Sequence, residues 1–315
     1  MKLILAIDGG GTRTRCAAMR EDGRLLATSE SGPSNHLQVA LDVAALSLRC
    51  AIDRVLQSAA LRPSEIACVS AGLAGVDYNG AGCQEALEIF RSIGYPDVAV
   101  HSDMVIAHRG ALAGRPGGMA LAGTGSVFLG IDESGRTVKA GGWGPLFGDE
   151  GSGHWIGAAA LRAASQARDG RGPATSLVDV LPRALGVSGF DRVTGRVYRN
   201  GARAGEASSL APAVAAAARE GDAVAAEILR EAGKALAAGV LALSRALGWT
   251  REAFPVSYQG AVLRDCEPVR IAFQESLCVA LPAATLLPPR FEPVVGAFLL
   301  GCDAAGIRRP EMEEE

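Results

Sequence analysis

The sequence lacks the features that mark several large classes of protein. Its formal net charge is −3, so it has no basic excess that would attract nucleic acid or an anionic membrane surface. No apolar run approaches the roughly 18 residues of a membrane-spanning helix, and the apolar segment that follows Met1 is too short for a secretory signal. These absences predict a cytoplasmic protein that binds neither nucleic acid nor a membrane.

Cysteine and histidine form no recognisable disulfide or metal-binding pattern. The seven cysteines are odd in number, scattered and never spaced as C-x-x-C, which predicts free thiols rather than a disulfide framework or a zinc site. The four histidines include no H-x-x-x-H pair. We therefore expect no tightly bound metal centre made by protein side chains alone.

The length and the apolar pattern predict an α/β protein with two domains. A chain of 315 residues, 49% of them hydrophobic, is long enough for two domains of ordinary size. The first 30 residues have the pattern of a three-strand meander, and helices and strands alternate from there to residue 114. This order favours a mixed sheet flanked by helices.

The opening pattern returns after the R-P-G-G at 115–118. The segment MALAGTGSVFLGIDESGR repeats the order of LILAIDGGGTRTRCAAMREDGR: an apolar strand, a Gly-Thr turn, a second apolar strand and a further turn. Internal duplication explains this, and the alternative is that any two hairpins look somewhat alike. The predicted domains are 1–114 and 115–291, with a closing helix at 292–308 that completes the first.

The first glycine turn, AIDGGGT, fits neither of the two common nucleotide-loop patterns. A phosphate loop needs a lysine and a following helix, and the dinucleotide fingerprint also opens a helix, whereas a strand follows here. The turn is therefore predicted to be a hairpin bend whose backbone N–H groups approach an anion closely, with a hydroxyl donor at its end. Its residues are Gly9, Gly10, Gly11 and Thr12.

Asp8 precedes this turn at the end of the first predicted strand. A phosphate would repel its carboxylate unless a cation lay between them, so Asp8 is the candidate that orients Mg²⁺ through water. The alternative is a tight turn with an acidic edge. A second bend of the same kind follows the repeated strand, and two such bends would clamp a triphosphate from both sides. The residues of the second bend are Gly123, Thr124, Gly125 and Ser126.

The segments AIDGGGT, SNH, HSD, AGTGS, GGWG and GDEGSG, in that order, resemble the N-acetylglucosamine kinases. They also resemble the related activator-type ATPases of 2-hydroxyacyl-CoA dehydratases, within the superfamily of actin, chaperone ATPases and hexokinases. The resemblance covers essentially the whole chain. It implies two ribonuclease-H-like domains with an MgATP cleft between them.

The activity implied by this resemblance is ATP-dependent phosphorylation of an amino sugar, by a phosphotransferase with an alcohol group as acceptor. The expected substrate is N-acetylglucosamine at its 6-hydroxyl. Glucosamine and N-acetylmuramic acid stay open as alternatives, because nothing in the sequence decides between an acetyl pocket and a carboxylate near carbon two. A homodimer is also left open, since the sequence does not set the oligomeric state.

Asp103 ends the predicted strand VAVHSD and begins a helix. It is a candidate helix N-cap, and a carboxylate at the carboxyl end of a strand also projects to the edge where open α/β sheets bind ligands. The resemblance implies that Asp103 accepts the proton of the attacking sugar hydroxyl, which suits phosphoryl transfer because the acceptor must be positioned.

Other residues are assigned to the sugar by the resemblance. Asn35 by itself is more typical of a turn, Trp143 alone could belong to the core, and His36 receives no role. The sugar contacts that the resemblance implies, besides Asp103, are Asn35, Gly142, Trp143, Gly144 and Asp149.

The adenosine turn departs from the family pattern. Relatives have two adjacent glycines after a late strand, where this chain has Gly260 and Ala261. The nucleotide base preference is therefore open.

Two other functions compete with the kinase hypothesis. An activator ATPase holds an iron-sulfur cluster with paired, exposed cysteines, and these cysteines lie in apolar strand and helix patterns instead. A sugar-sensing regulator or an assembly protein would need a DNA-binding module or a polymer interface. Since the sequence begins directly at the first strand, we expect no such module.

Overall fold

The computed structural model describes residues 2–199, 204–249 and 253–312. The chain divides into two compact units, one formed by Met1–Arg115 with Pro288–Glu315 and the other by Pro116–Leu287. Both units contain a five-stranded mixed sheet flanked by helices.

The first unit begins with the meander that the sequence predicts, and helices and strands then alternate. Its strands are β1 Leu3–Gly9, β2 Thr14–Arg20, β3 Leu25–Ser31, β4 Ile66–Leu73 and β5 Val98–Ser102, and its first helices are α1 Leu41–Ser58, α2 Cys83–Ser92 and α3 Asp103–Ala111. The sheet order is β3-β2-β1-β4-β5. β1 is antiparallel to β2 and parallel to β4, which is parallel to β5.

The second unit repeats this plan with more helices. Its elements in chain order are β6 Gly117–Ala122, β7 Ser126–Ile131, β8 Thr137–Gly141, α4 Gly153–Arg168, α5 Leu177–Ala184, α6 Val193–Arg199, α7 Ala204–Ser208, α8 Ala211–Arg219, α9 Ala223–Leu247, β9 Phe254–Gln259, α10 Ala261–Asp265, α11 Glu267–Ala280 and β10 Ala284–Leu286. The chain then returns to the first unit for α12 Pro293–Ala304, and single 3₁₀ turns lie at Pro63–Glu65 and Phe190–Arg192.

The two sheets share one topology. In the second unit the order is β10-β9-β6-β7-β8, with β6 antiparallel to β7 and parallel to β9. Each sheet therefore contains an antiparallel meander whose first strand also pairs with a later parallel strand, and a further parallel strand pairs with that one. A duplicated ancestor predicts this repetition.

The alternation of side chains along β1 builds two cores in the first unit. Leu5 and Ile7 belong to the cluster that includes residues of α1 and α2, whereas Ile4 and Ala6 belong to the cluster that includes Phe298 of α12. Because side chains alternate between the two faces of a strand, Asp8 follows Ile4 and Ala6 onto the α12 face. The last helix thus covers the face from which Asp8 projects.

The second unit is organised around α9. The side chains of Leu229, Leu236, Val240 and Leu243 recur on one face and are buried in its core. Asp222 caps the helix by accepting hydrogen bonds from the N–H groups of its first turn, and Gly248 ends it in the left-handed region. None of the described helices combines the length and low charge that crossing a membrane requires.

Candidate functional site

Three neighbouring strand ends in the first unit bring polar residues to one edge of the sheet. Asp8 of β1 lies opposite Gly72 of β4, and Gly72 lies opposite His101 of β5. α3 starts two residues later, at Asp103. The carboxyl ends of parallel strands meet at the same edge, which is where α/β sheets bind ligands.

Asp8 and Asp103 are close enough to affect each other's charge. Burial, and then repulsion from the Asp103 carboxylate, raise the pKa of Asp8 to about 6, although Arg15 and Arg13 act in the opposite direction. Two carboxylates that repel each other in a partly buried place favour binding of a cation or a proton. The pair therefore has the chemistry of a cation-assisted site.

Asp103 is held by the start of α3. Ser102 is the N-cap, because its side chain accepts from the N–H of Met104, and Asp103 is the first helical residue. The N-cap interpretation of Asp103 is therefore wrong by one residue. The Met104 N–H also donates to Asp103 Oδ1 at 2.8 Å, and the positive end of the helix dipole favours an ionised carboxylate there.

An ion-pair network that the sequence did not reveal lies beside Asp8. Arg15 is the cross-strand partner of Asp8, and its Nε donates to Glu30 at 2.6 Å while its Nη1 pairs with Glu292. Glu292 immediately precedes α12. This network connects the Asp8–Arg15 pair of the sheet to the start of the last helix. In the sequence, only the predicted pairing of β1 with β2 pointed to it.

The first turn, residues 9–12, is braced by backbone hydrogen bonds. Gly9 C=O accepts from Ala74 N–H at 2.8 Å, and Gly10 C=O accepts from the N–H groups of Ser34 and Asn35 at 3.0 and 3.2 Å. A Cβ at Gly9 would overlap Ser34 Oγ and lie 2.5 Å from Leu73 Cδ2. The turn and the Ser-Asn segment thus form one structure, which brings Asn35 next to the predicted anion site.

Asn35 is buried and forms a turn. It is 7% exposed, and its Oδ1 accepts from Leu37 N–H at 3.0 Å, so it does form a turn. The same geometry leaves its Nδ2 group as the donor that a sugar hydroxyl could use. His36, for which the sequence gave no role, lies against Gly75, where an added Cβ would be 2.8 Å from its Cε1.

The second turn, residues 123–126, is bound to the start of α4. Gly123 C=O accepts from Gly153 N–H at 2.8 Å, and Thr124 C=O accepts from His154 N–H at 3.1 Å. Within the turn, Gly123 N–H donates to Gly125 C=O at 2.9 Å. The first N–H groups of α4 thus hold the Gly123 and Thr124 carbonyls at the beginning of this turn.

Ser126 is hydrogen-bonded to several residues of the second unit. It is buried, its N–H donates to Asp149 Oδ1 at 3.2 Å, and its Oγ donates to Glu150 C=O at 2.8 Å. Its C=O accepts from Gly142 N–H at 3.0 Å. The sequence assigned Ser126 to phosphate and Asp149 to sugar, and the structure brings these two residues into direct contact.

The glycine-rich loop, residues 142–149, projects large apolar side chains. Trp143 is 69% exposed, and Leu146 and Phe147 are exposed as well. The interpretation of Trp143 as a core residue is therefore wrong. The Trp143 indole, an aromatic ring with a polar N–H, is thus open to solvent in this loop.

Gly260 ends β9 against the start of the second turn. It has a φ of +93°, and a Cβ there would overlap Ala122 O and lie 3.0 Å from Gly123 N. Only glycine fits this position without strain. Ala261 is exposed and begins α10, so the two residues form a turn that passes close to the turn at 123–126.

The positions of the possible metal-binding side chains determine how a metal ion could be held. Among residues 2–199, 204–249 and 253–312, no group of three or more His, Cys, Asp or Glu side chains is arranged to hold a metal ion. A magnesium ion at Asp8 would therefore depend on phosphate oxygens and water for most of its ligands, which is the usual way that Mg²⁺ binds with nucleotides.

Comparison with known proteins gives a family match and full-length relatives. The sequence model of the BadF/BadG/BcrA/BcrD ATPase family matches residues 5–301. An N-acetylmuramic acid/N-acetylglucosamine kinase of Clostridium acetobutylicum is 29% identical over 308 residues, which are 96% of this chain and 100% of that protein. An N-acetyl-D-glucosamine kinase of Dictyostelium discoideum is 27% identical, over 96% of this chain and 98% of that protein.

A solved structure extends the likeness to three dimensions. A protein of Chromobacterium violaceum, provisionally described as an N-acetylglucosamine kinase, superposes with a TM-score of 0.78 at 28% identity. The match covers 95% of this chain and 99% of that one. The two-sheet architecture is thus that of a solved relative of the same length.

Proposed function

The chain belongs to the BadF/BadG/BcrA/BcrD ATPase family, and from this premise we propose that it is an ATP-dependent amino-sugar kinase. It transfers the γ-phosphate to the 6-hydroxyl of N-acetylglucosamine. The observation that carries the proposal is the Asp8 and Asp103 pair at the strand ends beside the first glycine turn. Relatives of the same length that are named as amino-sugar kinases support it.

Asp103 is the proton acceptor in this proposal. It stands at the carboxyl end of β5 and at the start of α3, where the positive end of the helix dipole stabilises a negative charge. An ionised carboxylate can take the proton of the attacking hydroxyl as the bond to phosphorus forms.

Asp8 is the residue that would orient Mg²⁺ through water. Its raised pKa reflects a buried negative charge next to Asp103, which a divalent cation would stabilise. The bound magnesium nucleotide supplies neutralisation of the phosphate charge. Asp8 would hold water ligands of the magnesium ion.

Backbone amides of the two turns are assigned to the phosphates. The first set is Gly9, Gly10, Gly11 with the Thr12 hydroxyl, and the second is Gly123, Thr124, Gly125 and Ser126, while Gly260 and Ala261 are assigned to the adenosine. The close approach of Gly260 to Gly123 supports a shared nucleotide subsite in the second unit. No base preference is assigned to this subsite.

The sugar is assigned to the Asn35 amide in the first unit and, in the second, to Gly142, Trp143, Gly144 and Asp149. A site that hydrogen-bonds the amide at carbon two leaves buried polar groups unpaired when glucose enters, which costs several kcal/mol. This favours an N-acetylated amino sugar over glucose. Glucosamine and N-acetylmuramic acid are the alternatives, and the relative from Clostridium acetobutylicum is named for both acetylated sugars.

The cysteines argue for a kinase over a cluster-carrying activator. Cluster ligands must be thiolates, and burial raises the pKa of Cys16 far above its usual range and that of Cys302 to about 11. Neither thiol is suited to that role. The kinase hypothesis predicts that protein purified without oxygen is colourless.

The deciding experiment is one coupled assay of ADP release with N-acetylglucosamine, glucosamine, N-acetylmuramic acid and glucose, with the product position read by ³¹P and ¹³C NMR. We expect the highest kcat/KM for N-acetylglucosamine and a 6-phosphate product. A highest value for glucose would contradict the amino-sugar assignment, and no turnover of any sugar would contradict the kinase assignment.

A further inference from the structure

The Asp149 carboxylate is built into the fold of the second unit before any sugar arrives. The residue is 7% exposed, and its Oδ1 accepts the N–H of Ser126 at 3.2 Å. Its φ of +60° is unfavourable for a residue with a side chain, although Asp and Asn tolerate it better than most. Such a conformation persists where the surroundings fix it.

The carboxylate also lies directly against the middle of the second turn. A Cβ added at Gly125 would be 2.7 Å from Asp149 Oδ2, 2.9 Å from Cγ and 3.0 Å from Oδ1. These are the three atoms nearest to that position, so Asp149 is what requires glycine there. The shape of the turn is fitted to this one side chain.

Ser126 joins the turn to the loop that is assigned to the sugar. Its N–H binds Asp149, and its C=O accepts from Gly142 N–H at 3.0 Å. Both partners belong to the loop of residues 142–149. At this end of the phosphate turn, two of the hydrogen bonds of Ser126 thus go to residues of the sugar loop.

We propose that Asp149 is a positioning residue for the second phosphate turn in addition to its sugar contact, so that the sugar loop sets where the turn's amides point. This inference rests on the proposed function, which supplies the nucleotide and the sugar. A carboxylate can accept about four hydrogen bonds, so one oxygen can hold Ser126 while the other receives a hydroxyl. Nucleotide and sugar affinities are then coupled, and the coupling is reciprocal.

The test measures the Kd of AMP-PNP with Mg²⁺ by calorimetry, in the absence of sugar, for Asp149→Asn and Asp149→Gly. Asn and Gly both tolerate the positive φ, but only Asn keeps an acceptor for the Ser126 N–H. We expect Asn to stay within about twofold of wild type and Gly to weaken nucleotide binding about tenfold. Sugar KM should rise in both variants.

Asp132→Gly is the matched control. This residue lies at the other end of β7, where its Oδ1 also accepts backbone N–H groups, from Ser134 and Arg136 at 2.9 Å each. Its replacement removes a turn-forming carboxylate from the adjacent β7–β8 hairpin without touching the second turn. AMP-PNP affinity should stay at the wild-type value.

A second measurement tests the contact itself, using Gly125→Ala in the wild-type and the Asp149→Gly backgrounds. In wild type the new methyl meets the carboxylate, and nucleotide affinity should fall about tenfold. In Asp149→Gly the obstructing atoms are gone, so the same change should cost about threefold or less, and residues in contact commonly couple to this extent.

Three outcomes overturn the inference. In the first, Asp149→Gly binds AMP-PNP within about twofold of wild type. In the second, Asp149→Asn and Asp149→Gly weaken AMP-PNP binding equally. In the third, Gly125→Ala lowers AMP-PNP affinity by the same factor in the wild-type and the Asp149→Gly backgrounds. In each of these the kinase assignment stands. Wild-type protein that does not bind AMP-PNP at all would contradict the proposed function, and this inference with it.

Discussion

The two glycine turns occupy the same place in two sheets of the same topology, yet they are held by different means. In the first unit the backbone holds the turn, because Gly10 C=O accepts from the N–H groups of Ser34 and Asn35. In the second unit backbone N–H groups of α4 hold the turn as well, and a side chain is added to them, because the Asp149 carboxylate accepts from Ser126 N–H. In the first unit, a side chain that binds a ligand can therefore be replaced without loosening the turn. In the second unit, replacement of Asp149 should affect both the position of the turn and ligand binding.

The strand that precedes each turn shows a second difference. Asp8 is the next-to-last residue of β1, before the Gly9 that pairs with Thr14. The matching position in β6 is Leu121, before the Ala122 that pairs with Ser126. The carboxylate chemistry at this position thus belongs to the first unit, and the second unit keeps the turn without the charge.

The largest effect should come from Asp103→Asn, which removes the proton acceptor of the first unit and keeps its shape. We expect turnover to fall by about 10²-fold or more, with the KM values for ATP and sugar little changed. Steady-state kinetics with N-acetylglucosamine measure this. Asp97→Asn, at the exposed amino end of the same strand, is the control and should keep wild-type turnover.

If Asp103→Asn retains more than half of the wild-type rate, another group must accept the proton of the sugar hydroxyl. Retention of the rate with a raised sugar KM would mean that Asp103 only binds the hydroxyl. Either result would weaken the contrast between the first unit, which has carboxylates at its strand ends, and the second unit, which has Leu121 at the position that matches Asp8.

The next effect concerns stability and its pH dependence at Asp8. Because the folded-state pKa is raised to about 6 from 3.8, the protonated form contributes stability that is full below about pH 4 and is lost as the pH rises through 6. Without Mg²⁺, Asp8→Asn should therefore raise the free energy of unfolding at pH 7.5 by about 3 kcal/mol. The gain should fall to about half at pH 5.

Urea unfolding at the two pH values measures this difference, with Asp97→Asn as the control. A gain of equal size at both pH values would show that ionisation of Asp8 is not the cause. A loss of stability at pH 7.5 would contradict the idea that its charge is an unrelieved cost in the absence of the cation.

Much of the fold could be predicted from the sequence, because strand alternation and helical spacing are local. The meander at residues 3–31, the long α9 and the closing α12 have strong periodic patterns. β8 and β10 are short, and α5 contains Pro182, which in a sequence is read as a helix end. Such elements are stabilised by packing against the rest of the unit rather than by their own pattern.

The positions of the candidate site residues in the fold could be predicted in part for the same reason. Glycine turns and strand-end aspartates have local signatures, so Asp8, Asp103 and both turns could be found. The Arg15 to Glu292 pair spans 277 positions and the Asp149 to Ser126 bond spans 23. No periodicity relates such positions, so these contacts emerge only from the folded chain.

A smaller effect should separate the two turns by their steric fit. Gly9→Ala places a methyl against Ser34 and Leu73, both fully buried, and should destabilise the protein by about 1–2 kcal/mol. Nothing lies within 4 Å of a Cβ at Gly123, so Gly123→Ala should change stability by less than about 0.5 kcal/mol. Urea unfolding without ligands compares them.

Equal losses for the two glycine variants would mean that the second turn is as tightly enclosed as the first. A stable Gly9→Ala protein would mean that Ser34 and Leu73 can move aside. In both cases the backbone bracing of the first turn would be less rigid than the contacts indicate.

The smallest expected effect is that of Asn35 on the sugar, and it sharpens the comparison most directly. Asn35→Ala removes the side chain but keeps the backbone N–H that donates to Gly10 C=O. We expect sugar KM to rise about fivefold, the equivalent of one ordinary hydrogen bond, with nucleotide Kd unchanged. Asp149→Gly, by contrast, should affect both ligands.

Asn35→Asp separates the turn-forming role from the sugar contact. Aspartate keeps the Oδ1 acceptor for Leu37 N–H but lacks the Nδ2 donors, so it should raise sugar KM at least as much as alanine does. Recovery of the wild-type KM by Asn35→Asp would show that Asn35 acts only through its turn. A weakened nucleotide Kd in Asn35→Ala would show that the first turn, like the second, depends on a sugar-contacting side chain.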